Sequence, residues 1–378
     1  MKNYLKIFAL IFAATFTACS DDDNSDSTFI VDPNSLQGNI EDGSVSLDAG
    51  TIYKLTGPLI VREGAALVIP AGTRIEAVGG TSSYIAVAQG GKIFINGTAS
   101  NPVVRTSGLS TPAAGDWGGL VICGRAPINR GAIASAEVSE LTYGGTNPTE
   151  SSGEIRYLRV EYCGAAFNSE KEFNGVSFFG VGNGTVVEFV QVYHGADDGF
   201  EFFGGTVNTS NLVAIGNEDD EFDWTEGWSG TNTNWYGKKA FGVGNRGIEA
   251  DNLEADFNAS PISNPTIENL TLIGGIEGSA EPDAIKLRRG TKGIFNNVVL
   301  SHFTDGFDVE NDQTIAFVGT TLKAENVLFD AIDNKSKGKD SSGNTVDVSN
   351  VYTESPLATG AGNGVNPPAW AAGWTIGL

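Results

Sequence analysis

The sequence predicts an all-β chain, a single right-handed parallel β-helix with loops inserted at the corners of its coils, and three observations lead there. The first is composition: 50 of the 378 residues are Gly, and the apolar set leans on Val, Ile and Phe. Glycine costs roughly 1 kcal/mol in a helix interior, while β-branched and aromatic residues favour strands. The second is an internal repeat, in which residues 189–202 overlay residues 211–224 without a gap, at a shift of 22. Related runs begin at Asn174, Arg246, Asp283 and Asp305, and a short minimum step mixed with longer ones is the mark of a solenoid with loops at its corners. The third is that Asn211, Asn269, Asn297 and Asn326 each open a short apolar run. Stacked in neighbouring turns, such side chains can form an amide ladder, and the right hand follows the rule for parallel crossovers.

The elements follow in chain order. Residues 1–18 carry Lys2 and Lys6, an apolar stretch from Ile7 to Ala14, and small residues before Cys19. That is a secretory leader, too short to span a bilayer. Phe16-Thr17-Ala18-Cys19 resembles the lipobox of bacterial lipoproteins, which implies that Cys19 is the lipidated first residue of the mature chain. Ser20-Asp21-Asp22-Asp23 resembles the acidic export tag of Bacteroidetes lipoproteins, which implies the outer face of the outer membrane. Residues 19–44 then form an acidic tether, and residues 45–378 the β-helix with a C-terminal cap. With 23 Lys+Arg against 46 Asp+Glu, a net charge of −23 excludes nucleic acid as a partner, and two His exclude a His-rich metal site.

Residues 61–69 and 87–95 repeat an upstream pattern that starts the solenoid. Cys123 and Cys163 each adjoin a short β-run, as a bridge or as small buried thiols. Residues 61–73, Gly115-Asp116-Trp117-Gly118-Gly119, Ala126-Pro127-Ile128-Asn129, residues 157–162 and Asp197-Asp198-Gly199-Phe200-Glu201-Phe202 resemble a family of uncharacterised secreted or lipid-anchored β-helix proteins of Bacteroidetes, with a pectin-lyase-like fold. The resemblance spans residues 45–335 and implies a fold and a location, with no activity to carry over.

Strand alternation places Val176, Phe200, Phe222, Ile248, Ile285 and Phe307 in one inward column, and Phe178, Phe202, Trp224, Ala250, Leu287 and Val309 in the next. Between them Ser177, Glu201, Asp223, Glu249, Lys286 and Asp308 point outward, about 4.8 Å apart. A second acidic group, Asp197, Asp198, Glu218, Asp219 and Asp220, lies at the strand starts. Like charges at that spacing raise one another's pKa unless a cation intervenes. Ca²⁺ suits such oxygen donors, with Asp197, Asp198, Asp219, Asp220, Glu201 and Asp223 as the expected ligands; the alternative is a solvated acidic face. For catalysis, Glu201, Asp223 and Glu249 offer paired carboxylates, and Lys286 or Arg288 a lyase base. Trp228, Trp235 and Tyr236 in the insertion at 225–239 form either a stacking platform for sugar rings or a cover for the core. His194 and His302 share one coil position and sit too far apart to bind one metal. Residues 334–350 read as a mobile loop, and Pro367-Pro368-Ala369-Trp370 onward as a cap over the last turn.

These readings predict a lipid-anchored surface protein that binds glycan, another surface protein or an outer-membrane partner. The alternative is a polysaccharide lyase or glycoside hydrolase. Whether the acidic column lines a cleft bounded by loops or lies on a flat, open face is what discriminates the binding protein from the enzyme.

Overall fold

The computed structural model describes residues 27–139, 141–168, 171–240, 242–275 and 283–378. The leader, Cys19 and the acidic run after it lie outside the described residues. Among the described residues, 24 strands join into one parallel β-helix, with a small antiparallel pair, Ala134–Ser135 and Thr142–Tyr143, beside it. The solenoid starts at the strand Leu36–Ile40, ahead of residue 45, because Leu36 and Ile40 are already buried against the following coil.

The sheet that carries the acidic column has eight strands to follow: β1 (Leu120–Cys123), β2 (Val176–Val181), β3 (Phe200–Gly205), β4 (Phe222–Thr225), β5 (Ile248–Ala250), β6 (Asp283–Leu287), β7 (Asp305–Glu310) and β8 (Asn334–Lys339). Each pairs in parallel with the next, and the register aligns Ser177, Glu201, Asp223, Glu249, Lys286, Asp308 and Lys337. Both expected inward columns are fully buried. Residues 334–350 are therefore not a loose loop, since β8 extends the sheet by one more coil and residues 345–351 fold over its edge through Val346, Val348 and Val351.

The Asn positions have a backbone reason. Asn211, Asn234, Asn269, Asn297 and Asn326 all have φ between 56° and 64°, the left-handed conformation that Asn tolerates better than other side-chain-bearing residues. Each is the bend at which a long strand turns the corner. The amide ladder runs through Asn234, Asn269 and Asn297, with links of 3.0 and 2.8 Å, while Asn326 bonds Asn296 instead.

Trp228, Trp235 and Tyr236 lie at 0%, 0% and 1% exposure, which removes the exposed sugar platform. Residues 231–238 form a strand that takes the Asn-bend position in its own coil, and that register turns Trp235 inward. Trp228 stacks on Phe202 at 4.0 Å and Trp235 on Phe222 at 4.5 Å, filling a coil whose inward columns hold the largest rings. Trp235→Ala should cost about 3–5 kcal/mol in urea unfolding, as expected for a buried aromatic truncated to a cavity. A loss under about 1 kcal/mol would show that the ring is not part of the core.

The C-terminal segment does not cap the last turn. It runs back along the outer wall, with Thr359 bonded to Asn297, Ala361 to Thr271 and Ile376 to Gln191, and buries Trp374 edge-on to Tyr157 and Phe189. Val213, Ile215 and Tyr236 give this wall an apolar surface that the tail covers. Cys123 packs on the outer face of the sheet and Cys163 in the core; both are free and buried.

Candidate functional site

The outward face of β1–β3 carries apolar side chains beside the column. Val121, Phe179 and Phe203 point out and are covered by Ile128, Val138, Leu141 and Tyr143 of the insertion between β1 and β2. This insertion crosses to the far side of the column. Asn129 donates to Asn252 Oδ1 at 2.8 Å and to the carbonyl of Pro261 at 3.0 Å, so the loops after β1 and after β5 are tied together. Tyr143 donates to Glu226 Oε2 at 2.6 Å, and Arg130 reaches Glu226 Oε1 at 3.1 Å. Between these loops lies a cleft of about 460 Å³ lined by Glu201, Asp223, Glu249 and Asp251 on its floor and by Arg130 and Leu253 on its sides.

Charge along the floor follows a rule that has two exceptions. The residue three before each outward position also stacks: Asn174, Asp198, Asp220, Arg246, Asp283, Asp305 and Asn334, as the rung bonds Gly175 N–H to Asp198 O and Gly199 N–H to Asp220 O show for the first of them. In the later coils each acid meets a base. Lys286 bonds Asp308 and Glu310 at 3.2 Å, and Lys337 lies 2.8 Å from both Asp283 and Asp305. Arg246 contacts Glu249 and Asp220, and Arg288 contacts Glu249 and Asp251. The coils of Asp198 with Glu201 and of Asp220 with Asp223 bring four carboxylates and no base of their own; Arg246, one coil on, reaches Asp220.

There the carboxylates converge. Oxygens of Asp197, Asp198 and Asp219 all lie within 4.8 Å of one another, and so do those of Asp198, Glu201 and Asp223. Burial, reinforced by Asp219, pushes Asp197 up to about 8 and Asp220 up to about 7, the latter against the pull of Arg246. Asp198, Glu201 and Asp223 are held well above the usual carboxylate range, first by burial and then by Asp197, Asp223 and Asp220 respectively. Glu137, from the covering insertion, adds to the charge facing Glu201 and Asp197. No His or Cys enters either trio, so the donor set is all oxygen, which suits a hard cation such as Ca²⁺ and not zinc or copper.

The expected ligands thus divide. Asp197, Asp198, Asp219, Glu201 and Asp223 meet, whereas Asp220 is engaged elsewhere, accepting from the Arg246 backbone N–H and side chain. Lys286 and Arg288, the expected lyase bases, each sit between two carboxylates, Lys286 between Asp308 and Glu310 and Arg288 between Glu249 and Asp251. The ring of His194 sits against Tyr162 and Tyr193, and burial lowers its pKa; His302 bonds Ser301 at 2.7 Å on the surface. Sequence reasoning passed over Asn174, Arg130, Glu226 and Asp251. Asn174 had a signal, as it opens one of the repeated runs; the other three belong to segments without a repeat.

The profile of a family described as "Pectate-lyase like beta helix domain" matches residues 38–375. No curated protein and no solved structure matches the chain.

Proposed function

We propose that this chain, which belongs to the family of pectate-lyase-like β-helix domains, is a lipid-anchored surface protein whose cleft binds a sugar chain with the help of Ca²⁺. The observation that carries the reading is that the acidic column floors a loop-bounded cleft of about 460 Å³ instead of lying on an open face. A cleft of that size suits a few sugar rings. Its floor offers carboxylates to hydroxyls, its rim offers the half-exposed Arg130, and a cation at Glu201 and Asp223 would supply charge for an acidic group. The family's fold supports a carbohydrate ligand. Glycan-array screening with Ca²⁺ present should give hits that Asp251→Asn weakens at least tenfold; an array with no hits removes the reading.

The anchor rests on the lipobox-like Phe16-Thr17-Ala18-Cys19 and on the acidic run after it. Radiolabelled fatty acid should enter the wild type and not Cys19→Ala; label surviving that change refutes the anchor. Display on the outer face would leave the cleft open to an external glycan or to an outer-membrane partner.

One observation favours a second reading, glycoside hydrolysis. Glu201 and Asp223 both line the cleft with oxygens within 4.8 Å, close to the spacing of about 5 Å in retaining enzymes. Release of reducing sugar that Glu201→Gln abolishes would establish it.

A further inference from the structure

We infer that the side chains of Lys239 and Asn217 join in an intramolecular amide bond, Lys239 Nζ to Asn217 Cγ, with loss of ammonia and with Glu221 carrying the proton. None of the three residues lines the cleft, so the bond is independent of what the cleft binds.

The coils bring the parts together. The strands Asn208–Ile215 and Thr231–Lys238 pair in parallel with Ile215 beside Lys238, so Asn217 and Lys239 follow them at the same corner of neighbouring coils, 22 residues apart. Lys239, Asn217 and Glu221 are all buried, and the Lys239 ammonium donates to the Asn217 backbone carbonyl at 3.1 Å. Glycines pack directly on the group: a Cβ on Gly244 would overlap Lys239 Cε and Nζ, and one on Gly199 would stand 2.7 Å from Asn217 Nδ2.

Glu221 stands between amine and amide. Its Oε1 lies 3.5 Å from Lys239 Nζ and is buried without a hydrogen-bond partner, while its Oε2 accepts from Asn217 Nδ2 at 2.5 Å. One carboxylate thus faces the nucleophile with one oxygen and the leaving nitrogen with the other. A buried ion pair that served stability alone is expected to satisfy both oxygens. Asn217 Oδ1 accepts from the Gly195 N–H at 2.8 Å, a donor placed where charge develops when the amide carbonyl is attacked.

The reaction starts from the ion pair. Lys239 passes a proton to Glu221 Oε1, a transfer that burial favours because it leaves two neutral groups. The freed amine attacks Asn217 Cγ, and the carbonyl π pair moves onto Oδ1. Glu221 then takes a proton from Nζ and delivers one to Nδ2; the Cγ–Nδ2 bond breaks and ammonia leaves. An amine and a primary amide become a secondary amide and ammonia, with no oxidant and with Glu221 left protonated.

Tryptic digestion of the full chain followed by mass spectrometry tests the bond. No Lys or Arg lies between Lys171 and Lys238. The wild type should therefore give residues 172–238 joined to residues 239–246, about 17 Da lighter than the two peptides together. Lys239→Arg and Glu221→Gln should give linear peptides only, with circular dichroism to confirm that each is folded; if Glu221→Gln is not, the wild type and Lys239→Arg decide alone. Linear peptides from the wild type overturn the bond. So does a loss of about 17 Da confined to residues 172–238 with residues 240–246 released free, which is closure of Asn217 onto its own backbone. A folded Glu221→Gln chain that still carries the link overturns the role given to Glu221.

Discussion

Held in a chelator, the protein should melt at a higher temperature at pH 5 than at pH 8. Asp197 is raised to about 8, Asp220 to about 7, and Asp251 and Asp283 to about 6, from an ordinary value of 3.8, in each case first by burial. A carboxyl whose folded pKa lies above its unfolded one holds more protons in the folded state between the two values. Its contribution is complete below about pH 4 and is lost as pH rises through the folded pKa. Each such group contributes up to about 1.4 kcal/mol per pH unit across its window. The four windows overlap between pH 4 and 6, and Asp197 and Asp220 carry the loss on toward pH 7–8. This is the opposite of common acid denaturation, in which paired carboxylates with lowered pKa values are protonated as the pH falls.

Calcium should flatten the curve by replacing the protons. Melting points at pH 5 and pH 8, with chelator and with excess CaCl₂, therefore give four values, and the largest gap should be between the two samples at pH 8. A chain with net charge −23 gains some stability on acidification from reduced self-repulsion alone. The paired variant Asp197→Asn/Asp220→Asn separates the causes, since it barely changes the overall charge and should flatten part of the chelator curve, the rest being carried by Asp198, Glu201 and Asp223. A chelated wild type whose melting point is level or rises from pH 5 to pH 8 would show that the cluster is not charged and buried as described.

The column could be read from the sequence because it repeats. Glu201, Asp223, Glu249, Lys286 and Asp308 follow a strand period of two within a coil period near 22, and both periods are local. What covers the column does not repeat. The insertion that carries Ile128 and Tyr143, and the loop held by Asn252, reach the face only through the tertiary fold. One trace of the cover was present, in that Phe178-Phe179 and Phe202-Phe203 place large apolar residues on both faces of one strand, as in sheets buried on both sides. The tryptophans misled for a related reason. Residues 225–239 look like an insertion rich in Gly, Asn and Thr, yet they complete a coil, and Asn234 in the left-handed conformation is its corner. The tail was legible as apolar and unplaceable, since Trp374 has apolar neighbours only once the outer wall exists.

Lys239→Met should be among the most destabilising substitutions in the molecule, costing about 3–5 kcal/mol, as expected when one partner of a buried ion pair is removed. Lys239 is 3% exposed and Glu221 is fully buried; their charged groups lie 3.5 Å apart. The ammonium also donates to the carbonyls of Asn217 and Asp219, and Asn217 in turn bonds Glu221 and the Gly195 N–H. Without it, a carboxylate already raised by burial keeps only the Asn217 amide, and two corner carbonyls lose their donor. Glu221→Gln in the Lys239→Met background removes the stranded charge and should recover part of the loss, so a double-mutant cycle in urea should show coupling of about 1–3 kcal/mol. Additive single-site losses would mean that Lys239 fills space without holding the corner in shape.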